Sequence, residues 1–141
     1  MKRQAKPRYA GDVPSALPPP QSLRGLELAV MEEVWRLREA TVADVADAIN
    51  DASGERRAYT TFLTVLRRLD AKALVTRERR GKTDHYAPAL ERDSYLEART
   101  RASIDELVST YGERALVHFA RSIESLDSEQ RAALERLADD D

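Results

Sequence analysis

The sequence predicts a mainly α-helical protein with one small β-hairpin, and three observations predict it. Apolar residues recur at helical spacing through most of the chain from Leu23 onward. That rhythm breaks once, over residues 74–88, where β-branched residues and alternating character surround Gly81. The composition is 42% hydrophobic and 34% charged, which suits helical soluble protein. With 141 residues there is room for one domain and an appendage, or for two very small domains.

Taken in order, Met1 to Gln21 carries Lys2, Arg3, Lys6 and Arg8, then four prolines between Pro14 and Pro20, with no hydrophobic period. It reads as a disordered basic arm over 1–21. Such an arm either reaches along a nucleic acid or serves as a solubilising tail; nothing in the sequence anchors it, which favours the tail. Leu23 to Leu37 reads as the first helix, with Ser22 as its cap. Leu26, Val30, Val34 and Leu37 form its stripe, widened by Leu28, Met31 and Trp35; Trp35 reads as core. Thr41 opens a second helix with Asp44 three residues on, and Val42, Val45, Ala46 and Ile49 form its face. Residues 50–56, with Gly54, read as a turn.

The third helix carries the most information. Phe62, Leu66, Leu69 and Ala73 recur on one face, with Ala58 and Val65 beside them. At 100° per residue, Arg57, Thr60, Thr64 and Arg67 fall opposite, with Thr61 and Arg68 on a flank. This outer surface holds hydroxyls and guanidinium groups and no carboxylate before Asp70. A merely solvated face mixes both signs. DNA readout needs short polar groups for base edges and arginines for guanine or phosphate. Residues 74–79 and 85–87 then read as two short strands, with Gly81 supplying the turn and Pro88 closing the second. The basic loop between them suits a grip on the phosphate backbone, or equally a charged edge that resists pairing with other chains.

Net charge is −2, but its placement is uneven. Residues 1–22 carry net +3, residues 23–55 net −5, residues 56–90 net +6 and residues 91–141 net −6. Phosphate attraction depends on the local field, screened beyond roughly 8–10 Å in physiological salt. An acidic total therefore leaves DNA binding open. There is no cysteine, which excludes disulfides, thiolate chemistry and zinc-finger frameworks. No apolar run approaches the ~20 residues of a membrane span, and the start of the chain lacks a signal-peptide stretch. A cytoplasmic protein without direct membrane insertion is expected. The two histidines, His85 and His118, belong to no metal-spaced cluster, and there is no glycine-rich phosphate loop. No enzyme, metal or cofactor is expected.

The order helix, helix, turn, helix, hairpin looks like a winged helix-turn-helix over residues 22–90. The segments LELAVMEEVW (26–35), TVADVADAI (41–49), AYTTFLTVLRRLDAKALV (58–75) and RRGKTDHYAP (79–88) resemble the penicillinase-repressor family, the BlaI, MecI and CopY type of bacterial repressor. The chain departs from that family at Lys72-Ala73, where Lys-Gly is common. The resemblance implies a repressor that binds a palindromic operator in double-stranded DNA. The candidate DNA contacts are Arg57, Tyr59, Thr60, Thr61, Thr64, Arg67 and Arg68, with Arg79, Arg80 and Lys82 from the hairpin. A rival reading is a winged-helix interaction module whose basic face binds an acidic partner protein.

Residues 91–141 are read as three further helices. Ser94 with Glu97 suggests a capping box ahead of Tyr95 to Tyr111, Gly112 ends that helix, and Asp127 with Gln130 caps the last. Their apolar residues are Tyr95, Ile104, Leu107, Val108, Tyr111, Leu116, Phe119, Ile123, Leu134 and Leu137. These must bury against the first domain or against a second copy. A homodimer is favoured, because two-fold symmetry matches a palindromic site and the resembled family dimerises here. The copper-sensing branch of that family uses a cysteine cluster that is missing from this sequence. The penicillinase branch is relieved by proteolysis through a membrane sensor. The matching run is Leu116-Val117-His118-Phe119, which places the implied scissile bond between His118 and Phe119, with His where Asn is usual.

Overall fold

The computed structural model of the chain describes residues 18–140. Along it run α1 (Gly25–Leu37), α2 (Val42–Ser53), α3 (Tyr59–Ala71), β1 (Val75–Arg80), β2 (Thr83–Pro88), α4 (Arg92–Tyr111), α5 (Arg114–Glu124) and α6 (Ser128–Asp139). The first three helices and the antiparallel hairpin form a winged helix-turn-helix, and a helical region follows. There are two compact units, the first ending at Thr100 and the second beginning at Arg101. The first unit thus runs past Leu90, where the sequence placed the boundary.

Val30, Met31, Val34 and Trp35 of α1 are buried, and Leu26 and Leu37 pack against them. Ser22 does not cap this helix: the chain turns at Gly25 with φ 61°, and Arg24 holds the N-cap position without a side-chain bond. The α2 N-terminus has the full capping box, with Thr41 Oγ1 accepting from the Asp44 N–H at 3.1 Å and Asp44 Oδ2 accepting from the Thr41 N–H at 2.9 Å. Such a cap stabilises a helix by about 1 kcal/mol. This helix continues to Ser53, beyond the expected end at Ile49, and stops at Gly54 in the left-handed region. Asn50, expected in the turn, is therefore helical.

The α3 core face is Phe62, Val65, Leu66 and Leu69. Ala58 is instead the exposed N-cap, and Ala73 lies beyond the helix. The exit from α3 is a Schellman arrangement: the Leu74 N–H bonds the Leu69 carbonyl at 2.9 Å, and the Ala73 N–H bonds the Asp70 carbonyl at 2.9 Å. Leu69 and Leu74 are both fully buried, supplying the apolar contact of that motif. It requires a left-handed residue at position 73, and Ala73 takes φ 60°.

In the hairpin, Val75 pairs with Pro88 and Arg80 with Thr83, so the first strand is shifted by one residue, the second is longer and the turn is tighter than expected. Gly81 makes that turn at φ 62°. The hairpin is fixed to the helices through Tyr86, which is fully buried. Its N–H bonds the Ala40 carbonyl at 2.8 Å, and its carbonyl accepts from the Ala40 N–H at 2.9 Å. Burial pushes the Tyr86 hydroxyl pKa up, and the Asp84 charge adds to the effect.

The helix α4 starts at Arg92, so Ser94 lies inside its first turn and is not a cap. Tyr95, expected in a dimer face, belongs instead to the core of the first unit. Its ring packs 5.4 Å from that of Trp35, and its hydroxyl donates to the Gln21 carbonyl at 3.0 Å. The Trp35 indole N–H donates to the Leu90 carbonyl at 3.0 Å. Arg99 holds the Pro20 carbonyl at 3.0 Å, and Pro20 is fully buried. The expected arm lies outside the described residues as far as residue 17, but its last residues are anchored, contrary to the sequence reading.

In the second unit, the Gly112 N–H closes α4 on the Val108 carbonyl at 2.8 Å, and α6 has the expected Asp127–Gln130 capping box. Neither α5 nor α6 buries a residue. Leu107, Tyr111, Leu116, Phe119, Ile123, Leu134 and Leu137 are 43–73% exposed, while Ile104 and Val108 are half-buried.

The Ala73 conformation generates a stability prediction. An alanine in the left-handed region costs roughly 1 kcal/mol that glycine does not. Ala73→Gly should raise the thermal midpoint of the first unit by a few degrees. An unchanged or lower midpoint in a melting experiment would show that the strain is not there to be relieved.

Candidate nucleic-acid interface

The outer face of α3 is built by elimination. Phe62, Val65, Leu66 and Leu69 turn inward, so the intervening positions turn out. Thr60, Thr64, Arg67 and Arg68 are exposed, Tyr59 is 54% exposed, and Thr61 is half-buried. From Thr60 to Arg67 the helix advances about 10 Å at 1.5 Å per residue, roughly the length of three stacked base pairs. The Thr64 hydroxyl donates to the Thr60 carbonyl at 2.9 Å, which fixes its rotamer and leaves its oxygen as an acceptor. Ala58 provides no side-chain cap, and the first turn has no carboxylate, so the positive end of the helix dipole is unopposed.

The approach to α3 is set by Asn50, expected in the turn but found at the end of α2. Its amide donates to the Arg57 carbonyl at 3.0 Å and its oxygen accepts from the Arg57 N–H at 2.9 Å. This two-point clamp fixes the chain just before Ala58. The Arg57 side chain is half-buried and lies 3.6 Å from Glu55. The side chains of Arg56, Arg67, Arg68 and Lys82 have no hydrogen-bond or ion-pair partner among the described residues. They are the cations open to an anionic ligand near α3 and the turn of the hairpin.

The hairpin is less basic than its sequence. Arg79 lies 3.5 Å from Asp84, and Arg77 lies 3.8 Å from Asp70 and 4.0 Å from Asp84. Arg80, expected as a DNA contact, is hydrogen-bonded to both Glu39 and Glu78, the latter at 3.1 Å. These bonds raise the Arg80 pKa, and the Arg80 guanidinium holds the Glu39 carboxyl below the usual carboxylate range. Asp70 and Glu39 come from outside the hairpin, and a count of hairpin residues alone does not include them. Of the three cations proposed from the hairpin, Lys82 is open, Arg79 is loosely paired and Arg80 is held.

The residues expected for assembly and processing lie elsewhere. His118 and Phe119 are both exposed in the middle of α5. A protease binds an extended backbone, so a cut there would need this helix to unwind locally. No helix among the described residues is long and apolar enough to cross a membrane.

Comparison with known proteins gives consistent relatives. Residues 23–140 match the penicillinase repressor family. The transcriptional regulator BlaI of Mycobacterium tuberculosis, in two strains, is 35% identical over 119 residues, covering 81% of this chain and 80% of that protein. Among solved structures, the DNA-binding domain of the repressor BlaI is 25% identical, with a TM-score of 0.46 over 54% of this chain and 89% of that one. A mutant of Lactococcus lactis ZitR is 13% identical, with a TM-score of 0.38 over 92% of this chain and 77% of that one.

The exposed arginines of α3 can be tested directly. Arg67→Ala or Arg68→Ala should weaken binding to duplex DNA while changing stability by less than about 1 kcal/mol, as for a surface residue. A phosphate role lowers the salt slope by about one per contact, whereas a base-edge role relaxes specificity at one position. A large stability loss with unchanged DNA affinity would refute the assignment of this face.

Proposed function

This chain belongs to the penicillinase-repressor family, and we propose that it represses transcription as a homodimer on a palindromic operator. The observation that carries this reading is the α3 face: exposed Thr60, Thr64, Arg67 and Arg68, with no carboxylate and with both arginine side chains unpaired among the described residues. Each protomer lays α3 into a major groove, which is about 12 Å wide and admits a helix. Thr60, Thr61 and Thr64 meet base edges, Arg67 and Arg68 meet phosphate or guanine, and Lys82 and Arg79 approach the backbone beside the groove. Occupying the operator then blocks transcription, which places the protein in the cytoplasm with its DNA.

The dimer reading is supported by the exposed apolar side chains of residues 104–137. A large apolar surface of this kind marks an association site. A second copy covers it with the same residues and presents two α3 helices to two half-sites. The linked pair gains affinity for a full palindrome through effective concentration. The family supports an inducing signal of the β-lactam type, with a membrane sensor or protease partner and a cut between His118 and Phe119. Loss of α6 and half of α5 would weaken the dimer without touching α3.

A chain ending at Thr100 retains Tyr95 and Arg99, and so keeps the contacts to Trp35 and Pro20. It should stay folded by circular dichroism, be monomeric by light scattering, and lose far more affinity for a palindrome than for a half-site. A shortened chain that remains dimeric would place the interface elsewhere.

Induction has its own test. When producing cells are exposed to a β-lactam, mass spectrometry should find fragments ending at His118 and beginning at Phe119. Derepression with the chain intact would point to a ligand or partner as the signal.

A further inference from the structure

The Glu39–Arg80 contact spans 41 positions of sequence, and unlike the bidentate Arg38–Glu91 pair it lies inside a network of charges. Arg80 engages both oxygens of Glu39 through its two terminal nitrogens, and Glu78 through Nε at 3.1 Å. A bidentate pair inside a network is the exception to the rule that surface ion pairs contribute little. His85 adds a third neighbour, with Nδ1 3.4 Å from Glu39. Glu39 directly precedes Ala40, whose two backbone bonds to Tyr86 fix it against β2. Arg80 ends β1 at the turn, paired with Thr83. The carboxylate is thus built into the junction of α1 and α2 and reaches the arginine closest to the turn.

A basic hairpin that gripped any phosphate would raise affinity for all DNA alike, because phosphate contacts carry no sequence information. Resting on the DNA-binding reading of α3, we propose that Glu39 is a specificity-determining residue. By holding Arg80, it removes one phosphate contact from the hairpin and leaves recognition to α3. Glu39 acts through Arg80 and does not itself touch DNA.

The full-length chain is titrated against a random-sequence duplex, and against DNA from upstream of its own gene, across a salt series. Glu39→Gln keeps the side-chain shape but removes the charge that holds two of the Arg80 nitrogens, leaving Glu78 as the carboxylate partner of Arg80. It should steepen the salt slope on random DNA by about 0.9, the value for one phosphate, raise that affinity several-fold, and narrow the ratio of specific to random binding. Combining Glu39→Gln with Arg80→Gln restores the original local charge and should return slope and affinity to wild-type values. An unchanged slope in the single variant overturns the proposal. So does a double variant with a shallower slope than wild type, since Arg80 would then already be touching phosphate. If the wild-type chain binds neither duplex at low salt, the DNA-binding reading itself fails, and this proposal fails with it.

Discussion

Two backbone hydrogen bonds between Ala40 and Tyr86 hold the first unit together as a DNA-reading shape. They make Ala40 a one-residue third strand beside the hairpin. Without them a two-stranded hairpin is marginal in water and has no defined angle to the helices. With them, the Tyr86 ring enters the core among residues of α1, α2 and α3, where it is fully buried. The α1–α2 junction, the exit from α3 and both strands are then fixed to one another. The strained Ala73, the Schellman turn and the Asn50 clamp each position a chain segment entering or leaving this same core.

Electrostatics acts at a second level. The segment from 56 to 90 is strongly positive by count, yet folding brings Glu39 to Arg80 and Asp70 to Arg77. The field is thereby focused on α3, where the Arg67 and Arg68 side chains have no partner among the described residues. An acidic protein can offer such a face because charges more than about a Debye length away are screened.

The helix α4 contributes to both units, and this explains its mixed pattern. Tyr95 and Ala98 are buried, while Leu107 and Tyr111 are exposed. Its first turns complete the winged domain by packing on Trp35 and holding Pro20 and Gln21. Ion pairs Arg38–Glu91 at 2.6 Å and Arg92–Glu32 at 2.9 Å join its start to α1. Both pairs are exposed, with Arg38–Glu91 bidentate, and the buried contact of Tyr95 with Trp35 adds an apolar tie beside them.

The sequence by itself determined the element order, the inward faces of α1, α2 and α3, the Gly81 turn, the capping boxes at Thr41 and Asp127, and the polar outer face of α3. Each follows from a local rule, because helical period, capping and turn chemistry act within a few residues. The family resemblance rested on the same short segments. Only the tertiary structure decided that Asn50 clamps Arg57, that Tyr95 is core, that Pro20 is anchored and that Arg80 is held by Glu39. It also extended α2 to Ser53 and started α4 at Arg92, where propensity differences between neighbouring polar residues are too small to set an end. The partners of Tyr95, Pro20 and Arg80 lie 41 to 79 positions away in the chain. No local pattern encodes such a pairing, because it exists only once the shared core has brought the segments together.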